Sequence, residues 1–294
     1  MTSRLSDLGE NATLRRILPL LPGNEQLLVG PGDDCAVVAR DACWDTLLKT
    51  DVVVEGLHFT PDTEPERIGR KALARAVSDI AAMGGIPEHA LITLLCHPSR
   101  PVELLEGIYQ GMGDLARKYQ ISLAGGETSG LPYDGLIINV ALTGRVEHGA
   151  AVLRSGGMPG DHLFVTGVLG GSFPTGWHLD FEPRVELARG LLKAGIRPSA
   201  MMDLSDGLGT DLPRLAEASG CGFDIDEEQL PCRPGFSAQD AVSHGEDYEL
   251  LLALPSEMVE RLANSPFASQ LHCIGRLTRF SASDIASGWQ HFSV

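Results

Sequence analysis

The chain has 294 residues, 43% of them hydrophobic and 21% charged, and a formal net charge of −16 at pH 7. That length accommodates two domains, each with its own core. The negative charge argues against nucleic acid as a partner, because phosphate backbones are bound through Lys and Arg, and against anionic membrane surfaces.

Residues 1–22 carry Asp7, Leu8, Asn11, Leu14, Arg15 and Leu18 at helical spacing. They lack a basic region followed by an apolar core, so an amphipathic helix is expected there and not a signal peptide. Segments 35–39 and 46–54 are rich in β-branched residues and read as strands. Segment 64–83 reads as a helix stopped by Gly84-Gly85. A strand at 90–95, a helix at 102–119, a short strand at 121–124 and a long strand at 136–146 complete an alternating α/β half. The turn-rich stretch 154–160 marks a change, and the expected domains are 1–150 and 151–294. In the second, strands are expected at 162–166, 223–225, 248–253 and 273–277, and helices at 184–193 and 208–218. No apolar run approaches the roughly 20 residues that span a bilayer. Six cysteines without C-x-x-C or zinc spacing fit small buried hydrophobes in a reducing cytoplasm.

Acidic clusters set among glycines are the strongest signal. They are Gly-Pro-Gly-Asp-Asp at 30–34, Lys-Thr-Asp at 49–51, Ser-Asp at 78–79, Gly-Gly-Glu-Thr at 125–128 and Asp-Leu-Ser-Asp-Gly at 203–207. Carboxylates gathered on turns and strand ends need neutralising. Magnesium bridging to a polyphosphate does this, since Mg²⁺ is held by a few carboxylates plus phosphate oxygens. The reading is an ATP-using phosphotransferase. There is no Walker phosphate loop, dinucleotide fingerprint, nucleophile elbow or H-E-x-x-H.

Each cluster also has a bland explanation. Asp33-Asp34 suits a solvated turn. Asp51 sits in an apolar strand, facing opposite to Thr50 and Val52. Asp79 shares a helix face with Ala72, Ala76 and Met83, so it points inward; it either holds metal or pairs with Lys71 or Arg75. Glu127 is a metal candidate on a glycine loop. Asp203, Ser205 and Asp206 lie before a helix that capping would supply with one such residue. His244 to Glu249 form an acidic strand start that suggests a ligand site.

Taken in order, these segments resemble the thiamine-monophosphate kinases of the aminoimidazole-ribotide-synthetase-like superfamily. The segments are Gly32-Asp33-Asp34-Cys35-Ala36, Thr50-Asp51, Glu55-Gly56-Leu57-His58-Phe59, Ser78 to Gly84, Gly125-Gly126, Arg154-Ser155-Gly156, Asp203 to Gly207, Gly245 to Leu250 and Gly288 to Phe292. The resemblance implies an N-terminal α/β domain whose four-stranded sheet closes a barrel with a second subunit's, a C-terminal α+β domain, and a homodimer. It further implies ATP bound between the domains and γ-phosphoryl transfer to thiamine monophosphate. Carried over, Asp34, Thr50, Asp51, Asp79, Asp203 and Asp206 would ligate Mg²⁺, with Glu127 beside them. Asp51, Asp79 and Asp206 would be catalytic. Gly125, Gly126, Arg154 and Ser205 would contact ATP, and His58, Glu246 and Trp289 the thiamine phosphate.

Three features depart from the family pattern. Lys49 replaces a small residue before Thr50-Asp51, a cation that would replace or disturb a metal. Glu127 stands where Asp is common. Segment 169–181 differs, which points to the substrate pocket. The alternatives are another superfamily member with a different acceptor, a non-catalytic nucleotide-binding protein, or a Mg²⁺-dependent phosphatase. The C-terminus carries no reactive cysteine of the hydrogenase-maturation type, and Cys35 does not fit the selenophosphate-synthetase pattern.

Overall fold

The long strand expected around Asp51 is the backbone of the first of two sheets. In the computed structural model, which describes residues 4–280 and 285–289, strands β1 (Leu27–Val29), β2 (Ala36–Ala39), β3 (Trp44–Val54), β4 (Ile86–Cys96), β5 (Ser122–Gly130) and β6 (Leu136–Glu147) form this sheet in the order β1-β2-β3-β6-β4-β5. β3 and β6 pair antiparallel from Trp44 opposite Glu147 to Val54 opposite Ile137. β4 and β5 are parallel. Side chains alternate along β3: Asp45, Leu47 and Val53 are buried, whereas Leu48, Thr50 and Val52 are exposed. A four-stranded sheet in a closed barrel was expected; the sheet has six strands and is open within the chain.

Helices α1 (Leu5–Ile17), α2 (Pro65–Ala82) and α3 (Val102–Tyr119) accompany this sheet. α2 begins with Pro65 and carries Glu66 in its first turn, both suited to a helix N-terminus. Gly84, at φ 69°, stops it as a left-handed residue after the last turn. α2 and α3 touch backbone to backbone. A side chain on Gly69 would meet the Ile108 carbonyl at 1.8 Å, and one on Gly111 the Glu66 carbonyl at 1.8 Å. α2 is buried along most of its length because β3 and the second unit flank it as well.

The second unit has the sheet order β8-β10-β7-β11-β9. Its elements are β7 (His162–Thr166), α4 (Ser172–Thr175), α5 (Trp177–Asp180), α6 (Val185–Lys193), β8 (Ala200–Asp203), α7 (Leu208–Ala218), β9 (Gly222–Ile225), α8 (Ala238–Ser243), β10 (Leu250–Leu254), α9 (Ser256–Ala263) and β11 (Leu271–Thr278). Helices cover both faces. Leu251 and Met202 pack with Leu208 and Leu212 of α7. Leu250 and Leu252 pack with Leu187 of α6 and Met258 of α9. Covered on both sides, β8 and β10 are buried at every residue.

Several expectations change. The N-terminal helix is shorter and is broken at Gly9, φ 70°. β5 runs through Gly125-Gly126-Glu127, where a loop was expected; pairing with β4 overrides the weak strand preference of glycine. The strand expected from 248 starts at Leu250, because Glu246 and Tyr248 adopt left-handed φ values of 63° and 52°. β8, α8 and α9 were not legible as separate elements. Each is 4 to 8 residues long, and periodicity needs a longer window.

Candidate active site

Three aspartates from distant segments converge between the units. Asp34 follows the 30–33 turn, Asp79 lies on the inner face of α2, and Asp203 ends β8; oxygens of all three lie within 4.8 Å of one another. Oδ1 of Asp34 accepts Arg154 Nε at 3.1 Å and Nη2 at 2.5 Å. Its Oδ2 is buried and has no hydrogen-bond partner. Asp203 accepts Ser78 Oγ at 2.6 Å. Asp33, half-buried, accepts the Arg154 amide at 3.1 Å.

These carboxyls are held against their preference for charge. Burial, then the neighbouring Asp34, pushes both Asp203 and Asp33 up to about 6. Burial also raises Asp79 well above the carboxylate range, with Lys49 opposing. Clustered hard oxygens with one orphaned buried acceptor fit Mg²⁺.

β3 and α2 face each other with complementary charges. Lys49 and Asp51, two residues apart, share a strand face. Arg75 and Asp79, four apart, share a helix face. Lys49 Nζ donates to Asp79 Oδ1 at 2.7 Å, and Arg75 Nη2 stands 3.2 Å from Asp51 Oδ1. Burial disfavours the charged Lys49, but Asp79 and Asp51 outweigh it and hold the ammonium well above its ordinary range. Lys71 and Arg75 were the partners considered for Asp79; Lys49 takes that place. The pattern Lys49-x-Asp51 with Arg75-x-x-x-Asp79 was the signal available in the sequence.

A cavity of about 400 Å³ lies beside this cluster. His58, Arg75, Phe173, Glu246, Tyr248 and Trp289 line it, with Ser205 and Asp206 at the α7 end. Lys71 is fully buried, donates to the His58 carbonyl at 2.5 Å and to the Glu246 carboxylate, and sits 5.1 Å over the Phe173 ring. Burial lowers Lys71 to about 8 against the pull of Glu246, and burial raises Glu246. Both shifts disfavour the charged pair, so the fold imposes it. Phe173 belongs to the divergent 169–181 segment, which therefore does reach the pocket.

The α7 start carries no side-chain cap; its N-cap is Gly207. Capping therefore does not account for Asp203, Ser205 and Asp206. Asp206 pairs with Arg214 at 2.5 Å, and its amide donates to Asp211, which burial and then Asp206 push up to about 8. Arg214 and Asp211 were missed, although their spacings from Asp206 within one helix start were readable. The Trp289 amide donates to the Asp206 carbonyl at 2.8 Å, which anchors the closing segment here; Gln290, His291 and Phe292 lie outside the described residues.

Two expected metal residues stand apart. Thr50 faces the open side of the sheet and donates to Asn139 at 2.9 Å. Glu127 is exposed on the edge strand β5, in register with Thr93. Three strand spacings, about 14 Å, separate it from β3, and Gly125 and Gly126 lie on that edge too. Nor is the whole acidic run 246–249 a ligand site. Asp247 accepts the Gly170 amide and faces Arg233, and Glu249 takes Arg184 and Thr166. Only Glu246 and Tyr248 of that run reach the cavity.

Residues 32–146 match the family described as AIR synthase related protein, N-terminal domain, and residues 149–278 match its C-terminal domain. The chain belongs to this two-domain family. Thiamine-monophosphate kinase of Rhodopirellula baltica is 35% identical over 271 residues, 86% of this chain and 84% of that one. A solved structure described as AaThiL complexed with AMPPCP and TMP is 30% identical, covers 99% of both chains and has a TM-score of 0.87. Thiamine monophosphate kinase from Aquifex aeolicus is 29% identical, with 97% of both chains covered and a TM-score of 0.77. Within its family, the chain belongs with the thiamine-monophosphate kinases.

Proposed function

We propose that this chain transfers the γ-phosphoryl group of ATP to thiamine monophosphate, giving thiamine diphosphate and ADP. The observation that carries the reading is the convergence of Asp34, Asp79 and Asp203 within 4.8 Å beside an aromatic cavity. A phosphate oxygen of the acceptor attacks the γ-phosphorus in line, and the bond from that phosphorus to the β-bridging oxygen breaks. The attacking oxygen is already ionised at neutral pH, so no general base is required. Positioning and charge neutralisation remain for the protein to supply.

Mg²⁺ held by Asp34, Asp79 and Asp203, with Asp51 and Asp206 nearby, would neutralise charge on the transferred group. Arg154 and Ser205 would contact ATP. Trp289 offers a ring for the thiamine to stack on. Glu246, held by Lys71, presents a carboxylate to a substrate with a positive thiazolium, and His58 closes that end of the cavity.

We also propose a homodimer in which the open sheet face is covered by a second chain's and the two form a barrel. The support is that face itself, with Leu48, Val52 and Leu91 at 43%, 39% and 52% exposure, a concentration that commonly marks an interface. Thr50, Glu127, Gly125 and Gly126 would then act from that face. Light scattering at two concentrations tests the assembly. The domain division at 150/151 falls in the link between β6 and β7. A cytoplasmic location suits the six free thiols, and no helix among the described residues is long and apolar enough to cross a membrane.

The test is chromatography of a reaction with ATP, Mg²⁺ and thiamine monophosphate, with free thiamine as the control acceptor. Equal amounts of ADP and thiamine diphosphate are expected from the monophosphate alone, and Asp51→Asn should stay folded and lose turnover. ADP without thiamine diphosphate would refute the proposal.

A further inference from the structure

We propose that Lys49 and Arg75 act as fixed cations in place of a divalent ion between Asp51 and Asp79, so that this chain binds one metal ion fewer than its carboxylates would otherwise take. The inference rests on the phosphoryl-transfer reading above and concerns how the same site is neutralised.

The geometry divides the carboxylates into two halves. On one side, Asp79 receives the Lys49 ammonium at 2.7 Å and Asp51 the Arg75 guanidinium at 3.2 Å. On the other, Arg154 takes Asp34 Oδ1 at 2.5 Å, but Asp34 Oδ2 is buried with no partner and Asp203 is met only by the neutral Ser78 hydroxyl among hydrogen-bond donors of the described residues. A magnesium ion takes its oxygens at about 2.1 Å in a near-octahedral shell. Lys49 takes one lone-pair direction of Asp79 Oδ1 and neutralises that carboxylate on the Asp51 side, which leaves Asp79 to serve an ion from its Asp34 side. The free acceptor lies toward Asp34, and that half keeps room for metal.

The two cations are built in by the fold. Lys49 lies two residues before Asp51 on a strand that pairs with β6 over its whole length. Arg75 lies one turn before Asp79 on α2. Its guanidinium also donates to the Val52 carbonyl at 3.0 Å and lies 5.9 Å from the centre of the Tyr248 ring, and it lines the cavity. The side chains of Lys49 and Arg75 are 22% and 12% exposed, so solvent screens these charges poorly. A tethered cation needs no recruitment from solution, and it neutralises a carboxylate at any magnesium concentration.

The test counts metal ions directly. Mn²⁺ is titrated into the full chain in the presence of AMPPCP, and free Mn²⁺ is read by electron paramagnetic resonance. The variants are Lys49→Met, which keeps the volume without the charge; Lys49→Ser, which leaves room for a hydrated ion; and Lys49→Arg, which keeps the charge. One additional Mn²⁺ per chain is expected in Lys49→Met or Lys49→Ser, and the wild-type count in Lys49→Arg. The free Mg²⁺ giving half-maximal turnover should rise about tenfold in the neutral variants, with a steeper dependence, once a mobile ion replaces the fixed one. An unchanged Mn²⁺ count in both folded neutral variants overturns the proposal. So does failure of both to fold while Lys49→Arg folds, since the cation would then be holding β3 to α2. No Mn²⁺ on the wild type overturns the metal-site reading itself and the proposal with it.

Discussion

Replacing Asp203 by Asn should stabilise the metal-free protein while disabling it. Asp203 is 3% exposed, and its carboxylate accepts from the Ser78 hydroxyl, which an amide oxygen can also do. Burial and the nearby Asp34 raise its carboxyl from 3.8 to about 6. Between those values the folded chain holds a proton that the unfolded chain has lost. Stability therefore falls as pH rises through this window, and the full penalty is present above about pH 6. Two pH units correspond to about 3 kcal/mol. Asp203→Asn removes this penalty, so in EDTA at pH 7.5 the variant should exceed wild type by up to about 3 kcal/mol, or roughly 5–10 °C in Tm. The difference should vanish near pH 4, where the wild-type carboxyl is neutral in the folded state. Saturating Mg²⁺ should stabilise wild type more than the variant, and turnover of the variant should fall by about 10²–10³-fold. Urea unfolding in EDTA at pH 4, 6 and 7.5 measures the stability side. A variant less stable than wild type at pH 7.5, or a gain that does not shrink on acidification, would refute the reasoning.

Lys71→Met should cost about 3–5 kcal/mol by leaving Glu246 unpaired in a buried site; adding Glu246→Gln should restore much of that loss, read by a urea double-mutant cycle. Trp289→Ala should raise KM for thiamine monophosphate by about tenfold, as loss of one stacking contact predicts, while KM for ATP stays close to wild type in initial-rate assays. Gly126→Ala should destabilise the sheet edge by roughly 2 kcal/mol or more, because the added carbon would meet the Ile92 carbonyl at 1.7 Å; an unchanged urea midpoint would show that β5 shifts freely.

Local chemistry carried much of this protein in its sequence. The Pro65 start and Gly84 stop bound α2, and strand alternation turned Asp51 away from Thr50 and Val52. Helical spacing turned Asp79 inward with Ala72, Ala76 and Met83. These are properties of neighbouring residues and need no knowledge of the rest of the chain. The ordered motifs likewise pointed to the family. What distant segments do to one another was not written locally. Lys49 and Asp79 are thirty residues apart in sequence, Lys71 and Glu246 far more, and any of several cations had the right charge for each acid. The two glycines of β5 form a strand only because β4 supplies its hydrogen bonds, and Asp247 and Glu249 became structural because Arg233 and Arg184 lie beside them. Pairing and burial of charge depend on which surfaces meet, and the packing of α2 between the two sheets decided that.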